Sequence, residues 1–329
     1  MANFPASMVS HDSSIAHVQN VVYYNRVAEE NLKANLPFLS VMTRRKLPSK
    51  NGKTIRLFEY DVLSYNITPG SEGTSPAPIA VPSRTRDLTV AQYFDYVSVS
   101  DFLLDQAIDP MVENISEELG YRAGLTVNRL CVNAVDTEAS ADSTTLISLA
   151  DAEYMSAAIA RRAVMSLRAR DVKPSDGEWF VGIIHPLAAY DLLSDNTNGG
   201  TIDILKHVDS GVNEMKSGIR GNRVLNLNGI RWVETTTTTT TADYPSSGDT
   251  AYHSYVFGKD AFFVASLGKT EVKGDKNFSL MVGRYNEPSP SNPVGVIAAS
   301  IGYNFKFGIV KTTSATNRFR KIKGESSIT

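Results

Sequence analysis

The run from residue 54 to residue 135 constrains this chain more than any other part of it. Two strand-like stretches, Thr54–Leu63 and Arg86–Ser100, flank the tongue SYNITPGSEGTSPAPIAVPSRT, and the unit runs on into one long helical pattern. With four prolines and two glycines, the tongue cannot build a core of its own. An insertion of this length inside a compact domain is a functional loop or a disordered one. A long β-hairpin arm that reaches for another subunit is one functional use of it.

The helical pattern starts at Asp109-Pro110, which offers an N-cap followed by proline at the first helical position. Glu113, Glu117 and Glu118 lie toward its N-terminal half, where the helix dipole favours acids. Met111, Ile115, Leu119, Ala123, Val127, Leu130 and Ala134 recur at spacings of three and four, which predicts one apolar stripe ending near Val135. Gly120 and Gly124 weaken an isolated helix, so they point to close approach of another backbone. Cys131 falls near the stripe and reads as a small core residue rather than a reactive thiol.

Before this unit, residues 1–50 show a helical pattern around Val21–Leu32 and no clean period over Leu36–Arg45. After it, residues 136–150 read as a polar linker ending in a short apolar run. A second helix is expected from an Asp151 cap, with Met155, Ile159, Ala163 and Leu167 on one face. Glu178–Ile184 reads as a buried strand, His185-Pro186 ends it, and Leu187–Leu193 forms a short helix. The glycine-rich stretch Asn198–Gly221 reads as loop. Gly229–Thr235 reads as a strand that runs into TTTTTTTADYPSSGDT, expected to be an exposed loop with the threonines as surface decoration. Strand signal resumes at His253–Leu267 and Asn277–Tyr285. Finally, Ile297, Ala299, Ile301, Tyr303, Phe305, Phe307 and Ile309 alternate, which predicts a long strand with one buried face.

Composition allows a real core: 42% of residues are hydrophobic and 21% charged. The formal charge of −2 gives no general reason to bind nucleic acid. The two ends are more basic, and an acidic neighbour, nucleic acid or plain solvent would each accommodate that. One cysteine excludes a disulfide within the chain, which fits a reducing compartment. No stretch has the length of a transmembrane helix, and the first residues read as no signal peptide.

Catalytic signals fail one by one. Gly52-Lys53-Thr54 and Gly268-Lys269-Thr270 imitate a phosphate loop, but the glycine required five residues earlier is Leu47 in one and Phe263 in the other. The five histidines show no metal-ligand spacing, and there is no nucleophile elbow. His185, before a proline at a strand end, reads as structural. No cofactor is expected.

Taken as an ordered set, the motifs resemble the major capsid proteins of tailed double-stranded DNA bacteriophages. Glu72-Gly73-Thr74-Ser75-Pro76-Ala77-Pro78 in the hairpin carries the resemblance, with Ser100-Asp101 through Asp109-Pro110 before the helix. Gly229-Ile230-Arg231-Trp232-Val233-Glu234-Thr235 and Val256-Phe257-Gly258-Lys259-Asp260-Ala261-Phe262 add to it. The resemblance spans roughly residues 50–311 and, more narrowly, looks like the branch typified by the N-four-type podophage coat proteins.

The resemblance implies an α+β chain with the Hong Kong 97-type fold. Residues 1–50 would be an N-terminal arm and 51–99 an extended loop lying across a neighbour. Residues 100–135 would carry the spine helix of a peripheral domain, 136–292 an axial domain, and 293–329 a return strand and tail. It further implies a non-enzymatic subunit of the virion capsid, assembled in the host bacterial cytoplasm. Hexamers and pentamers would build an icosahedral shell, with scaffold, portal and cement proteins as further partners. Contact with packaged DNA would be weak and non-specific, and no membrane would be involved. Glu72, Arg84 and Arg86 are the charged candidates for contact between subunits. An encapsulin-type compartment enclosing cargo protein shares the fold and stands as the alternative.

Overall fold

The computed structural model describes residues 37–48, 52–60, 83–100, 111–140, 145–202, 219–268, 278–283, 298–312 and 317–328, less a few single positions, and parts of 63–82. The expected helix at Val21–Leu32, the Asp109-Pro110 cap and most of Asn198–Gly221 lie outside the described residues.

Helix α1 (Pro37–Val41) leads into β1 (Thr43–Pro48). The hairpin follows as β2 (Thr54–Tyr60) and β3 (Ser83–Thr89), then β4 (Ala91–Ser100) and the 30-residue helix α2 (Met111–Ser140). After β5 (Leu146–Ser148) come α3 (Ala157–Arg168), β6 (Phe180–Ile184) and α4 (Pro186–Ser194). Short strands β7 (Ile219–Arg220), β8 (Arg223–Val224) and β9 (Asn226–Leu227) precede β10 (Ile230–Glu234), β11 (Thr240–Ala242) and β12 (Thr250–Phe257). Then follow β13 (Phe262–Gly268), β14 (Phe278–Gly283), β15 (Ala298–Lys311) and β16 (Phe319–Gly324).

The alternating run is β15, and a sheet of five strands is built on it. Ile301, Tyr303, Phe305 and Phe307 are buried, while the residues between them are half-buried. Strand β4 pairs antiparallel with β15 from Ala298↔Ser100 to Phe307↔Ala91. Strand β14 pairs with the earlier part of β15 and β13 with its end, and β1 lies parallel to β13. The expected strand Arg86–Ser100 therefore divides at Val90: β3 stays in the hairpin, and β4 joins the sheet.

A second sheet runs β5-β16-β12-β6-β10-β9, with β11 beside β12. Asn228 and Gly229 both take positive φ, 56° and 81°, and so make the tight turn between β9 and β10. Helices α3 and α4 cover one face of this sheet, with Ile159, Ala163, Leu167 and Leu192 packed among Phe180, Ile230, Trp232 and Ile322.

Helix α2 ties the two sheets together. Leu119, Ala123, Val127, Cys131 and Val135 pack into one core with Ile301, Tyr303 and Phe305 of the first sheet and Ile183, Tyr255 and Phe257 of the second. Phe38 of α1 is fully buried in that core, edge-on to Tyr255 at 5.5 Å between ring centroids. Burial of such a ring contributes about 1.5–3 kcal/mol. Cys131 is fully buried and its thiol is pushed up to about 12 by burial, which makes it a core residue.

Three expectations need correction. Helix α2 continues to Ser140, into the polar linker expected over residues 136–150, because its buried side carries on through Val135 and Ala139. Helix α3 begins at Ala157, not after Asp151, because its cap comes from a distant side chain. Asp195 Oδ2 accepts from the Ala157 N–H at 2.9 Å, thirty-eight positions away in sequence. The threonine run is not surface decoration either. Thr237 Oγ1 accepts from Asn128 Nδ2 of α2 at 2.7 Å, Thr241 Oγ1 bonds His253 Nε2 at 2.9 Å, and Thr240–Ala242 is β11.

Candidate subunit interface

The hairpin is a two-stranded ribbon whose register, Thr54↔Thr89 through Tyr60↔Ser83, assigns every side chain to one of two faces. Ile55, Leu57 and Leu88 share the face that packs on the body, and with Val90 they cover Phe263 and Ala265. Polar contacts fix the same face further along. Glu59 pairs with Arg318, and its Oε2 accepts from Thr312 Oγ1 at 3.0 Å. Arg86 Nη1 reaches Glu138 Oε1 of α2 at 3.1 Å, and Lys311 Nζ holds the other oxygen of Glu138 at 3.2 Å. A two-stranded ribbon is marginal alone, so these contacts are what hold this one to the molecule.

Among the described residues nothing covers the opposite face. Arg56 and Asp87 pair across the strands, with Nε to Oδ1 at 2.8 Å. Beyond them, Phe58 is 65% and Tyr60 69% exposed. The tongue adds Leu63, Tyr65, Ile67, Ile79 and Val81, all exposed. Exposed apolar residues gathered in one segment make it the candidate contact surface. Free ribbon edges also offer backbone groups for pairing with another chain.

Of the residues singled out from sequence, Glu72 lies in an exposed turn beside Gly73, whose φ is 79°. Arg84 stands opposite Glu59, on the body-facing side of the ribbon. Arg86 is engaged within its own chain by Glu138. The structure thus places the two arginines on one strand and Glu72 apart from them. Sequence reasoning weighed charges and passed over Phe58, Tyr60, Tyr65 and Ile67. Large apolar residues in a segment that builds no core were the available signal.

Other chemistry-bearing groups are engaged in structure. Asp136 Oδ1 of α2 accepts from Tyr255 Oη at 2.7 Å and from Lys321 Nζ at 2.8 Å, with His253 Nδ1 at 3.6 Å. Burial alone would raise the Asp136 carboxyl, but His253, Lys321, Thr239 and Tyr255 hold it well below the usual carboxylate range. Burial keeps the His253 imidazole below its ordinary value. His185 Nδ1 caps α4 by accepting from the Leu187 N–H at 3.3 Å, and its ring stacks on Tyr252. Asp151, Asp249 and Glu325 bring carboxylate oxygens within 4.8 Å of one another, a common surface arrangement that needs no ion. Among the described residues no helix is long and apolar enough to cross a membrane.

Two sheets joined by a long helix, with a β-ribbon packed by one face on the body, have a counterpart among solved structures. The chain has the Hong Kong 97-type fold of phage capsid proteins. Similarity to the capsid of Ralstonia phage GP4 covers 87% of both chains, with a TM-score of 0.63 at 15% identity. Similarity to the Cyanophage Pam1 capsid covers 100% of both, with a TM-score of 0.65 at 12% identity. The capsid of Helicobacter pylori bacteriophage KHP30 matches over 88% of this chain and 91% of its own, at 0.58 and 11%. No family model and no curated protein matches the sequence.

Proposed function

We propose that this chain is a major capsid protein that self-assembles into the hexamers and pentamers of an icosahedral shell around a phage double-stranded DNA genome. The carrying observation is a capsid fold matched from one end of the chain to the other, together with an arm whose outward face is apolar and uncovered. A closed shell places one subunit among neighbours in slightly different settings, and a rigid body with a protruding arm suits that task. The reading assigns the chain no catalytic role.

Residues 51–99 correspond in this reading to the extended loop and 100–135 to the spine-helix region. Residues 136–292 are the axial part in this reading and 293–329 the return to the periphery, while residues before 51 are the arm, whose α1 and β1 pack into the body. Glu72, Arg84 and Arg86 remain charged candidates for contact with a neighbour, joined now by Phe58, Tyr60, Tyr65 and Ile67. Single exposed ion pairs are worth little, so strength would come from shared area and many copies. Scaffold, portal and cement proteins are further partners in this reading. Contact with DNA is weak and independent of sequence, in keeping with the near-neutral charge. The N-four-type podophage branch is the narrower placement suggested by the sequence motifs.

The experiment is to express the chain and image it by negative-stain electron microscopy beside light scattering. Shells, or hexamers and pentamers that convert to shells, are expected. Deletion of Ser64–Arg84 should leave a folded subunit that forms none, and normal shells from that deletion would remove the loop from the assembly mechanism. A chain that stays monomeric even with candidate scaffold overturns the reading. Shells filled with an enzyme and lacking a portal would favour the encapsulin alternative.

A further inference from the structure

Helix α3, Ala157–Arg168, carries no acid anywhere along its length. Its residues Ile159, Ala163 and Leu167 pack on the second sheet, while Met165 on the other side is 57% exposed. At about 3.6 residues per turn, Arg161, Arg162 and Arg168 all stand within about 60° of Met165 around the helix axis. Arg161 lies near the Asp195 carboxylate. Arg162 and Arg168 are exposed, and among the described residues neither makes an ion pair. Tyr190 of the neighbouring helix α4 is 52% exposed.

Helix α2 carries the complementary surface. On the side away from buried Leu119 lie Glu117 and Tyr121, one turn apart, with Glu118 beside them. Both acids are exposed and Tyr121 is 42% exposed. The neighbouring Arg122 is held by Asp95 at 2.6 Å, and among the described residues Glu117 and Glu118 make no ion pair. The second sheet stands between the two helices, since Tyr255 and Phe257 of β12 pack toward α2 and Val256 between them packs toward α3. The acidic and basic faces of one copy therefore lie on opposite sides of its body and cannot meet each other.

We propose that the α3 face of one copy docks on the α2 face of the next, with Met165 against Tyr121 and Arg162 and Arg168 against Glu117 and Glu118. The thioether and the ring supply apolar contact, and guanidinium–carboxylate pairs fix the orientation. A contact between two different faces is heterologous, so it builds a ring when the rotation from copy to copy closes. Arginines would also suit nucleic acid, but a phosphate backbone offers nothing to exposed Met165 and Tyr190, whereas the chain itself supplies an acidic face with an aromatic residue in it. The inference rests on the coat-protein reading and names one contact between neighbours in a ring.

The test uses two variants of the full chain. Arg162→Glu with Arg168→Glu makes both faces acidic, and Glu117→Arg with Glu118→Arg makes both basic. Each variant alone should lower the yield of hexamers and pentamers about tenfold, read by mass photometry under assembly conditions. Mixed in equal amounts, the two should recover hexamers of alternating chains but not pentamers, whose odd number leaves one contact between like charges. A variant that assembles alone at the parental yield, or a mixture that recovers nothing, overturns the proposal. An α3 variant that assembles normally but loses affinity for a short DNA duplex also overturns it and assigns the surface to nucleic acid. Should either variant fail to fold, as read by circular dichroism, Tyr121→Cys with Met165→Cys decides. A short bis-maleimide should then give a ladder of covalent multimers, and crosslinks that are absent or confined to single chains reject the contact. Cys131 is buried with its thiol held protonated, so it does not compete. Failure of the unsubstituted chain to assemble, even with candidate scaffold, rejects the coat-protein reading instead.

Discussion

Tyr255 donates its hydroxyl to Asp136 across 2.7 Å, and that bond joins the second sheet to the helix that carries the first. The same Asp136 oxygen accepts from Lys321 at 2.8 Å, so one carboxylate on α2 answers two strands, β12 and β16. Asn128, two helical turns earlier, grips Thr237 and also accepts from the Phe38 N–H at 3.4 Å. The seam between the layers is polar along one edge of a helix whose neighbouring side chains are apolar.

Asp136→Asn tests the seam. The Lys321 side chain is only 6% exposed, so the substitution strands a buried cation. Breaking a buried pair from one side typically costs about 3–5 kcal/mol, and the expected outcome is a loss of that order in urea unfolding of the isolated subunit. A loss below about 1 kcal/mol would show that the pair is effectively solvated.

Acid should weaken the same seam in two stages. The folded-state value of His253 is depressed, so its contribution is present above the ordinary imidazole range, about 6.5, and is lost as pH falls below it. Asp136 is also depressed, so its contribution is present above about 4 and is lost as pH falls further. Both slopes have the same sign, and stability should decline on going from pH 7 to pH 3. His253→Asn should flatten the upper stage alone, as read from unfolding midpoints across pH.

The threonine run makes a graded prediction. Thr237→Val leaves the buried Asn128 amide without its partner and should cost about 1–3 kcal/mol. Thr236→Val and Thr240→Val alter exposed positions and should fall within about 0.5 kcal/mol of the parent. Equal effects at all three sites would contradict the difference in burial between Thr237 and the two exposed threonines.

Glu138→Gln should loosen the hairpin without unfolding the subunit. The carboxylate serves Arg86 and Lys311 together, and both pairs are partly solvated, so the loss in global stability should stay near 1 kcal/mol or less. Limited proteolysis should nevertheless cut within the hairpin faster than in the parent, because local opening is governed by the contacts at its root.

Gly308→Ala should be poorly tolerated. A Cβ there would stand 2.3 Å from the Thr89 carbonyl oxygen, where the strand leading from the hairpin crosses β15. Overpacking of this kind typically costs about 1–3 kcal/mol. The measurement is the thermal midpoint of the variant, which should fall by several degrees.

Elements with a strong internal period were legible in the sequence. The alternation at Ile301–Phe307 and the three-four spacing from Leu119 to Val127 each bury one side against a partner, so their pattern carries the answer locally. Where the deciding partner is distant, local reading failed. The start of α3 depends on Asp195, and the role of the threonines depends on Asn128 and His253, neither of which leaves a mark in the run itself. Threonines 235, 237, 239 and 241 are all half-buried at a spacing of two, and a strand-like reading of the run would have found them. The arm was legible as a segment without a core. The exposed apolar residues Phe58, Tyr60, Tyr65 and Ile67 on it were passed over because charge drew attention.

Strand β15 has a consequence for the order of events in a cell. It is the scaffold on which β4, β13 and β14 all pair, and β16 sits between β5 and β12 in the other sheet, yet both follow nearly everything they organise. Emerging from the ribosome, β4 and β14 lack β15, and β5 lacks β16, until residues 298–324 arrive. Synthesis proceeds at roughly 5–20 residues per second, so aromatic strands wait many seconds unpaired and invite chaperone capture. The delay also works as a timer: the first sheet closes only once its last strand, β15, has been made.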